Sequence, residues 1–332
     1  DRSRGPSVAD RLGLPSGDLV VTEADTARAG DLLLAPPAEA SVGLERLRAI
    51  DRQRLALEFS APVSAAQVEL EVEGLPVLEL YGAPTEARRV YARTAVQQAG
   101  RRYAVTRLSV GGVAVPWQEP FRSSDNADRT APRVALRRPA EAQIDAGDTL
   151  AVVFDEAMVQ QEPADPWVAA SAGAAPPPGS WQWHGPLELR FVPDVPLAPG
   201  PWRWGLRLTG LTDLAGLAPA DTVCWLEHVV AAAAQLAVIE GQVLADADSV
   251  WVTAQSPTRR FTVRASDAGA FRLAGLLPGR YTLHAFADRD GDGVRAAGRL
   301  DPYAPAEPYC RWPDPIDLAA GDRAVVGPRR CR

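Results

Sequence analysis

The residues best suited to chemistry in this sequence form the acidic run Asp288-Arg-Asp290-Gly-Asp292-Gly293. Alternating Asp side chains on a tight glycine turn gather hard oxygens around one point, which suits Ca²⁺. An EF-hand loop would carry a bidentate acid at its twelfth position, where this chain has Arg299. Glu307 or Asp301 would complete a shell from the following loop, so Asp288, Asp290, Asp292 and Glu307 are the metal candidates. The competing reading is a metal-free turn, in which the same Asp side chains accept hydrogen bonds from backbone amides. Both readings stay open, and nothing else in the chain requires a cofactor.

Other reactive residues are sparse. His184, His228 and His284 lie far apart, and each reads as a surface or core histidine. The three cysteines give no zinc spacing, because none has another within four residues. Cys310 and Cys331 flank a segment rich in Pro, Asp and Gly, the arrangement of a disulfide staple in an oxidising compartment. Cys224, inside the strand-like Thr222-Val-Cys-Trp-Leu226, reads as a buried thiol. Asp155 and Glu156 are neighbours on a strand-like run, so their side chains point to opposite faces and do not share a substrate. The sequence carries no Gly-x-Ser-x-Gly elbow, phosphate-binding glycine loop or dinucleotide fingerprint. No catalytic residue is assigned, and the expectation is a protein that is not an enzyme.

Aromatic pairs offer a binding surface instead. Trp181 with Trp183, and Trp202 with Trp204, are spaced so that each pair shares one face of a strand. Pointing inward they are core; pointing outward they make a patch for a sugar or a protein partner. Trp181 and Trp183 are taken as a candidate binding surface, together with the apolar Leu32, Leu33 and Leu34.

The elements that position these residues are strands. Short alternating stretches recur between Gly, Pro and Asp, as in Arg54-Leu-Ala-Leu-Glu-Phe59, Val68-Glu-Leu-Glu-Val72 and Leu187-Glu-Leu-Arg-Phe191. Thirty prolines exclude long helices. Hydrophobic residues make up 46% of the chain and charged residues 23%, a globular balance. All 35 basic residues are Arg and Asn126 is the only Asn, a bias that fits a GC-rich genome. Arg selected for anion recognition would need clusters aimed at one place, whereas only scattered pairs such as Arg88-Arg89 and Arg259-Arg260 occur. The net charge of −7 gives no basic face for nucleic acid. The longest apolar run, Val229 to Ile239, is too short to span a bilayer, so the chain has no transmembrane segment of its own. A start at Asp1 without Met fits a processed, exported chain, attached to a membrane only through its N-terminus or a partner.

Residues 1–41 read as an extended arm: either a disordered tail or a segment ordered by lying on a partner. An internal repeat follows. Leu55-Ala-Leu-Glu-Phe59-Ser-Ala-Pro-Val63 matches Leu150-Ala-Val-Val-Phe154-Asp-Glu-Ala-Met158 at an offset of 95 residues. A Gly precedes an aromatic in each copy, Gly100 before Tyr103 and Gly200 before Trp202. Two related sandwich domains in tandem result, over 42–122 and 132–232, with the polar 123–131 as linker. The second copy resembles the bacterial Ig-like domains of S-layer and other surface proteins. The resemblance rests on Asp128 to Pro132, Phe154-Asp-Glu-Ala-Met158, Leu189-Arg-Phe-Val-Pro193 and Leu211-Thr-Asp-Leu-Ala-Gly216. Leu217 departs from it, since the family usually has Asn there, and the first copy lacks the Asp-x-Ala-Gly turn.

The third unit, 233–332, opens with Ile239-Glu-Gly-Gln-Val243. It continues through Gly269-Ala-Phe271 and Leu277-Pro-Gly-Arg-Tyr281, with Gly279 again before an aromatic. It resembles the transthyretin-like sandwich that serves as the regulatory domain of carboxypeptidases, in which the module folds and docks without catalysing. The expected fold is therefore all-β: three consecutive antiparallel Ig-like or transthyretin-like β-sandwiches behind an extended N-terminal arm. The expected function is a non-enzymatic structural and binding protein of the bacterial envelope, at the periplasmic or extracellular face. Its expected role is that of an accessory subunit on a membrane-protein complex. The alternative is a surface module that binds glycan or cell-wall polysaccharide.

Overall fold

The computed structural model describes residues 14, 16, 42–169, 175–300 and 303–331. Among them the chain is all-β, and its helical content is limited to two 3-10 turns, Ala65–Gln67 and Ala233–Gln235. No helix among the described residues is long and apolar enough to cross a membrane. Residues 32–34, proposed as part of an apolar contact, lie outside the described residues, as does Asp301.

The two halves of the internal repeat build the same sheet. In the first, Leu44–Asp51, Arg54–Phe59, Glu86–Thr94 and Val77–Ala83 lie side by side in that order. In the second, Val134–Arg138, Leu150–Phe154, Glu188–Pro193 and Gly179–His184 repeat the arrangement. The matching sequences Leu55–Phe59 and Leu150–Phe154 thus occupy equivalent inner strands. Such a strand has neighbours on both edges and is covered on its face, so its sequence is apolar nearly throughout. Phe59 and Phe154 are both wholly buried, and truncating either to Ala would cost about 3–5 kcal/mol.

The first sheet shares its core with a smaller one, in which Val68–Val72, Val105–Val110 and Val113–Ala114 pair in order. Opposite the second sheet, Gly200–Arg207 pairs with Val223–Val230 on one side and Trp167–Ala169 on the other. In two of the three places where a Gly precedes an aromatic, the aromatic is a tyrosine tied to a neighbouring loop. The Tyr103 hydroxyl accepts from the Gln98 amide at 2.9 Å, and the Tyr281 hydroxyl donates to the Leu277 carbonyl at 2.9 Å.

The third sheet pair departs from a purely antiparallel expectation. Ala237–Leu244 pairs antiparallel with Ala270–Leu276 but parallel with both Arg323–Val325 and Arg329–Arg330. The chain reaches these last strands by crossing from Ile316–Leu318, which belongs beside Gly279–Asp288. A crossing connection of this kind lets strands enter pointing the same way. Gly269 closes the turn before Ala270–Leu276 with a positive φ of 77°. A Cβ there would lie 2.0 Å from the Val243 carbonyl oxygen, so only glycine fits.

The described residues pack into two compact units, one of 42–142 with 146–230 and the other of 143–145 with 231–331. The two repeat sandwiches therefore share one unit. The segment expected to be a linker is pinned along its length. Ser123 donates to the Arg101 carbonyl at 2.9 Å, and Arg52 donates to the Asn126 carbonyl at 3.0 Å. The Gln97 side chain accepts from the Ser124 amide and donates to the Asp51 carbonyl, both at 3.0 Å.

A disulfide joins Cys310 to Cys331, both buried. It links the sheet holding Tyr309–Arg311 to the one holding Arg329–Arg330. Closing a loop of 21 residues stabilises the folded state by about 3 kcal/mol in the chain-entropy picture. The Cys310→Ser, Cys331→Ser double variant should unfold at correspondingly lower urea concentration, read from the Trp fluorescence of 231–331. An unchanged midpoint would show that the staple contributes nothing to stability.

Candidate functional site

Among the described residues, a polar cluster is centred on Arg54, the first residue of an inner strand. An apolar strand follows it, so its side chain sits at the end of the core rather than within it. Its guanidinium reaches three carboxylates. Nε donates to Asp51 Oδ2 at 3.0 Å, Nη1 to Glu156 Oε2 at 2.8 Å and Nη2 to Asp128 Oδ2 at 3.0 Å. These partners come from the first sandwich, the second sandwich and the segment between them. Asp128 is held by its own turn, accepting from the Thr130 amide at 3.0 Å.

Glu156 and Asp213 face each other across a small recess. Asp213 belongs to the Asp-x-Ala-Gly turn, where its Oδ1 accepts from the Ala215 amide at 2.8 Å and the Leu217 amide at 2.7 Å. Gly216 takes the positive φ of 84° that the turn demands. Asp128, Glu156 and Asp213 each place an oxygen within 4.8 Å of the others. Asp51, Gln53, Tyr81, Arg93 and Leu214 also line the recess, whose volume is about 130 Å³.

Burial sets the electrostatics. It pushes Glu156 up to about 7, against the pull of Arg54 and with help from Asp128 and Asp213. Burial likewise raises Asp213, although the Leu217 and Ala215 amides oppose the shift. For Arg54 burial acts downward, but Tyr81, Asp51, Glu156 and Asp128 outweigh it and the pKa rises. Arg54 is therefore a permanent cation beside Glu156, a carboxylate that burial makes costly to ionise. That arrangement clamps three chain segments together and leaves oxygens over for a cation.

The Asp288 run behaves differently. Asp288, Asp290 and Glu307 do come together, each offering an oxygen within 4.8 Å of the others. Asp292 is exposed and stands outside this group, a correction to the four-residue candidate shell. Alternation along the turn directs its Oδ1 to the Val294 amide instead. The buried carboxylates already have donors. Asp288 accepts from the Gly291 amide at 2.7 Å, the Gly293 amide at 3.1 Å and the Trp251 indole at 3.0 Å. Glu307 accepts from the Arg289 amide at 2.6 Å and the Ala296 amide at 2.9 Å. Burial pushes Asp288 up, but these donors prevail and hold its carboxyl below the usual range. The turn is thus closed by carboxylate-to-amide hydrogen bonds. One of the two described residues near the N-terminus meets this loop, the Ser16 carbonyl accepting from Arg289 at 3.2 Å.

The tryptophan pairs point inward. Trp181 is 5% exposed and Trp202 8% exposed. Trp167 stands among them, with ring centroids 5.2 Å from Trp181, 6.2 Å from Trp202 and 5.7 Å from Trp204. Trp181 is therefore core rather than binding surface. Its half-buried neighbour Trp183 lies 5.9 Å from Phe154 and donates its indole N–H to the Gln161 carbonyl at 2.8 Å. Strand alternation explains both, because Gln182 and His184 take the outward positions of Gly179–His184. Cys224 is a buried thiol, contacted by Arg137 Nε at 3.3 Å, and burial pushes its pKa up.

Arginines scattered in sequence converge on the third sandwich. Arg260, Arg280 and Arg311 line one recess with His284, Tyr309 and Thr282. They sit on three strands of one sheet, with Ser249–Gln255 between the first two, so cross-strand pairing brings together residues up to 51 positions apart. Burial, with Arg260 and Arg311 nearby, pushes His284 down to about 4.

No family model matches the sequence, and no curated protein matches it. Solved structures with partial likeness include a Dscam structure concerned with isoform specificity (TM-score 0.21, 11% identity, 86% of this chain and 72% of that one). The S-layer protein rSbsC aligns over 86% of this chain and 54% of its own (TM-score 0.21, 11% identity). BcpA, the major pilin subunit of Bacillus cereus, aligns over 73% and 87% (TM-score 0.20, 9% identity). This chain thus spans about half the length of the S-layer structure. Likeness at these TM-scores carries no argument about family or function.

Two outcomes are expected from this geometry. Arg54→Met should destabilise the 42–230 unit by about 3 kcal/mol in urea unfolding, because it strands buried carboxylates without their cation. His284 binds its proton only near pH 4 when folded, but near 6.5 when unfolded. Stability should therefore fall as pH drops from 6.5 to 4 and level off below, by about 1–2 kcal/mol once solvent screening is allowed for. His284→Gln should flatten that segment of the stability–pH curve.

Proposed function

We propose that this chain is a non-enzymatic structural and binding protein of the bacterial envelope, exported to the periplasmic or extracellular face. There it serves as an accessory subunit docked on a membrane-protein complex. The observation that carries this reading is the Arg54 clasp, which ties two consecutive sandwiches and the segment between them through one half-buried guanidinium. Such a device fixes geometry, which is what a brace needs. The Cys310–Cys331 disulfide supports an oxidising compartment. The sequence resemblance to bacterial Ig-like and transthyretin-like modules points the same way, and a net charge of −7 disfavours nucleic acid as a partner.

A second reading has its own observation. The recess of Arg260, Arg280 and Arg311 suits an anionic polysaccharide, because guanidinium groups bind carboxylate and sulfate in bidentate fashion. On this reading glycan recognition moves from the tryptophans to the third sandwich.

Isolation of the protein from gently solubilised native membranes separates the two. A fixed set of membrane subunits in constant ratio is the result expected of an accessory subunit; recovery of the protein alone would remove that role. For the second reading, polygalacturonate is the probe. The Arg260→Ala, Arg311→Ala double variant should bind it roughly tenfold more weakly than wild type. Equal affinity would dismiss the arginine recess.

A further inference from the structure

We propose that Asp128, Glu156 and Asp213 form a buried site for one hard divalent cation, of Ca²⁺ type, at the junction of the two repeat sandwiches. Three observations carry it. The first is a pair of orphaned oxygens. Glu156 is 6% exposed and Asp213 2% exposed, yet Glu156 Oε1 and Asp213 Oδ2 are buried without a hydrogen-bond partner. A buried polar atom left in this state costs about 1–3 kcal/mol, and more when charged.

The second is spacing. One oxygen from each of the three carboxylates lies within 4.8 Å of the other two. Ca²⁺ holds oxygens at 2.3–2.6 Å, so ligands on its opposite sides stand about 5 Å apart.

The third is charge. Asp51, Asp128, Glu156 and Asp213 line the recess with only Arg54 and Arg93. With all four carboxylates ionised, as a bound dication would hold them, the two guanidinium groups leave two negative charges in excess, which that dication balances. A water molecule would donate to both orphaned oxygens but would leave that excess in place. The recess of about 130 Å³ accommodates an ion with a few waters. Ca²⁺ is favoured over Mg²⁺ because it accepts irregular carboxylate shells, whereas Mg²⁺ demands an octahedron and sheds water reluctantly.

The ligands divide the work of joining. Asp128 comes from the inter-sandwich segment, and Glu156 and Asp213 from two loops of the second sandwich. Through Arg54, bonded to both Asp128 and Glu156, the ion acts on the first sandwich as well. A bound cation would therefore stiffen the junction that the clasp already holds.

The test uses the full chain, stripped with EGTA and then given CaCl₂ alone. Calorimetry should show one ion at this site. Unfolding of the 42–230 unit should shift upward by about 5–10 °C at a hundredfold excess over Kd. Glu156→Gln and Asp213→Asn each keep the shape and the existing hydrogen-bond acceptor while removing a free oxygen and its charge. Both should abolish the shift, while Asp290→Asn, in the other acidic cluster, should keep it. No shift in wild type overturns the proposal, as does a shift that survives Glu156→Gln and Asp213→Asn. Loss in Asp290→Asn alone would place the ion at the Asp288 loop and equally overturn it. A larger shift with MgCl₂ overturns the assignment to Ca²⁺. Asp128→Asn, at the most exposed of the three ligands, serves where a buried variant does not fold. Tb³⁺ luminescence gives an independent readout: it should be excited through Tyr81 and lost in Tyr81→Phe.

Discussion

A guanidinium partly removed from water must be met by negative charge, and Arg54 obeys that constraint with three carboxylates at once. Asp51 is three residues away in sequence, but Asp128 and Glu156 are 74 and 102 residues away. The two sandwiches cannot separate without exposing or stranding these groups. The intervening segment, polar enough to pass for a flexible linker, is therefore held to both. Its backbone bonds to Arg52 and Arg101, and the Gln97 side chain, extend the same restraint along the chain.

Two acidic clusters in the molecule illustrate how different the fate of a carboxylate can be. In the Asp288 loop the glycines allow the backbone to curl around the side chains, so amides and an indole supply the donors. The negative charge is solvated internally and the carboxyl titrates low. At the sandwich junction the donors run short. Arg54 and two amides satisfy one oxygen of each buried carboxylate and leave the other without a partner. The first cluster is complete as a turn; the second has capacity left for a ligand.

The remaining devices also serve rigidity. The disulfide bridges the two sheets of the third sandwich, and the parallel pairing of its last strands ties the end of the chain to Ala237–Leu244. Tyrosine hydroxyls at Tyr103 and Tyr281 fasten loops to strands. These are means of holding each sandwich in one shape.

Local physics made much of this visible in the sequence. Alternating apolar residues between Gly and Pro announce strands, and the match of Leu55–Phe59 to Leu150–Phe154 announces a duplicated sheet. The pairing of Cys310 with Cys331 follows from their isolation at one end of the chain. These features depend on neighbours within a few residues or on direct repetition. The clasp does not. Asp128, Glu156 and Asp213 stand in the very motifs that carry the Ig-like resemblance, yet nothing in their spacing says that they meet, or that Arg54 joins them. The inward turn of Trp181 and the gathering of Arg260, Arg280 and Arg311 are hidden for the same reason. Strand alternation says which residues share a face, but only the packing of sheets decides which face is buried and which distant residues become neighbours across it.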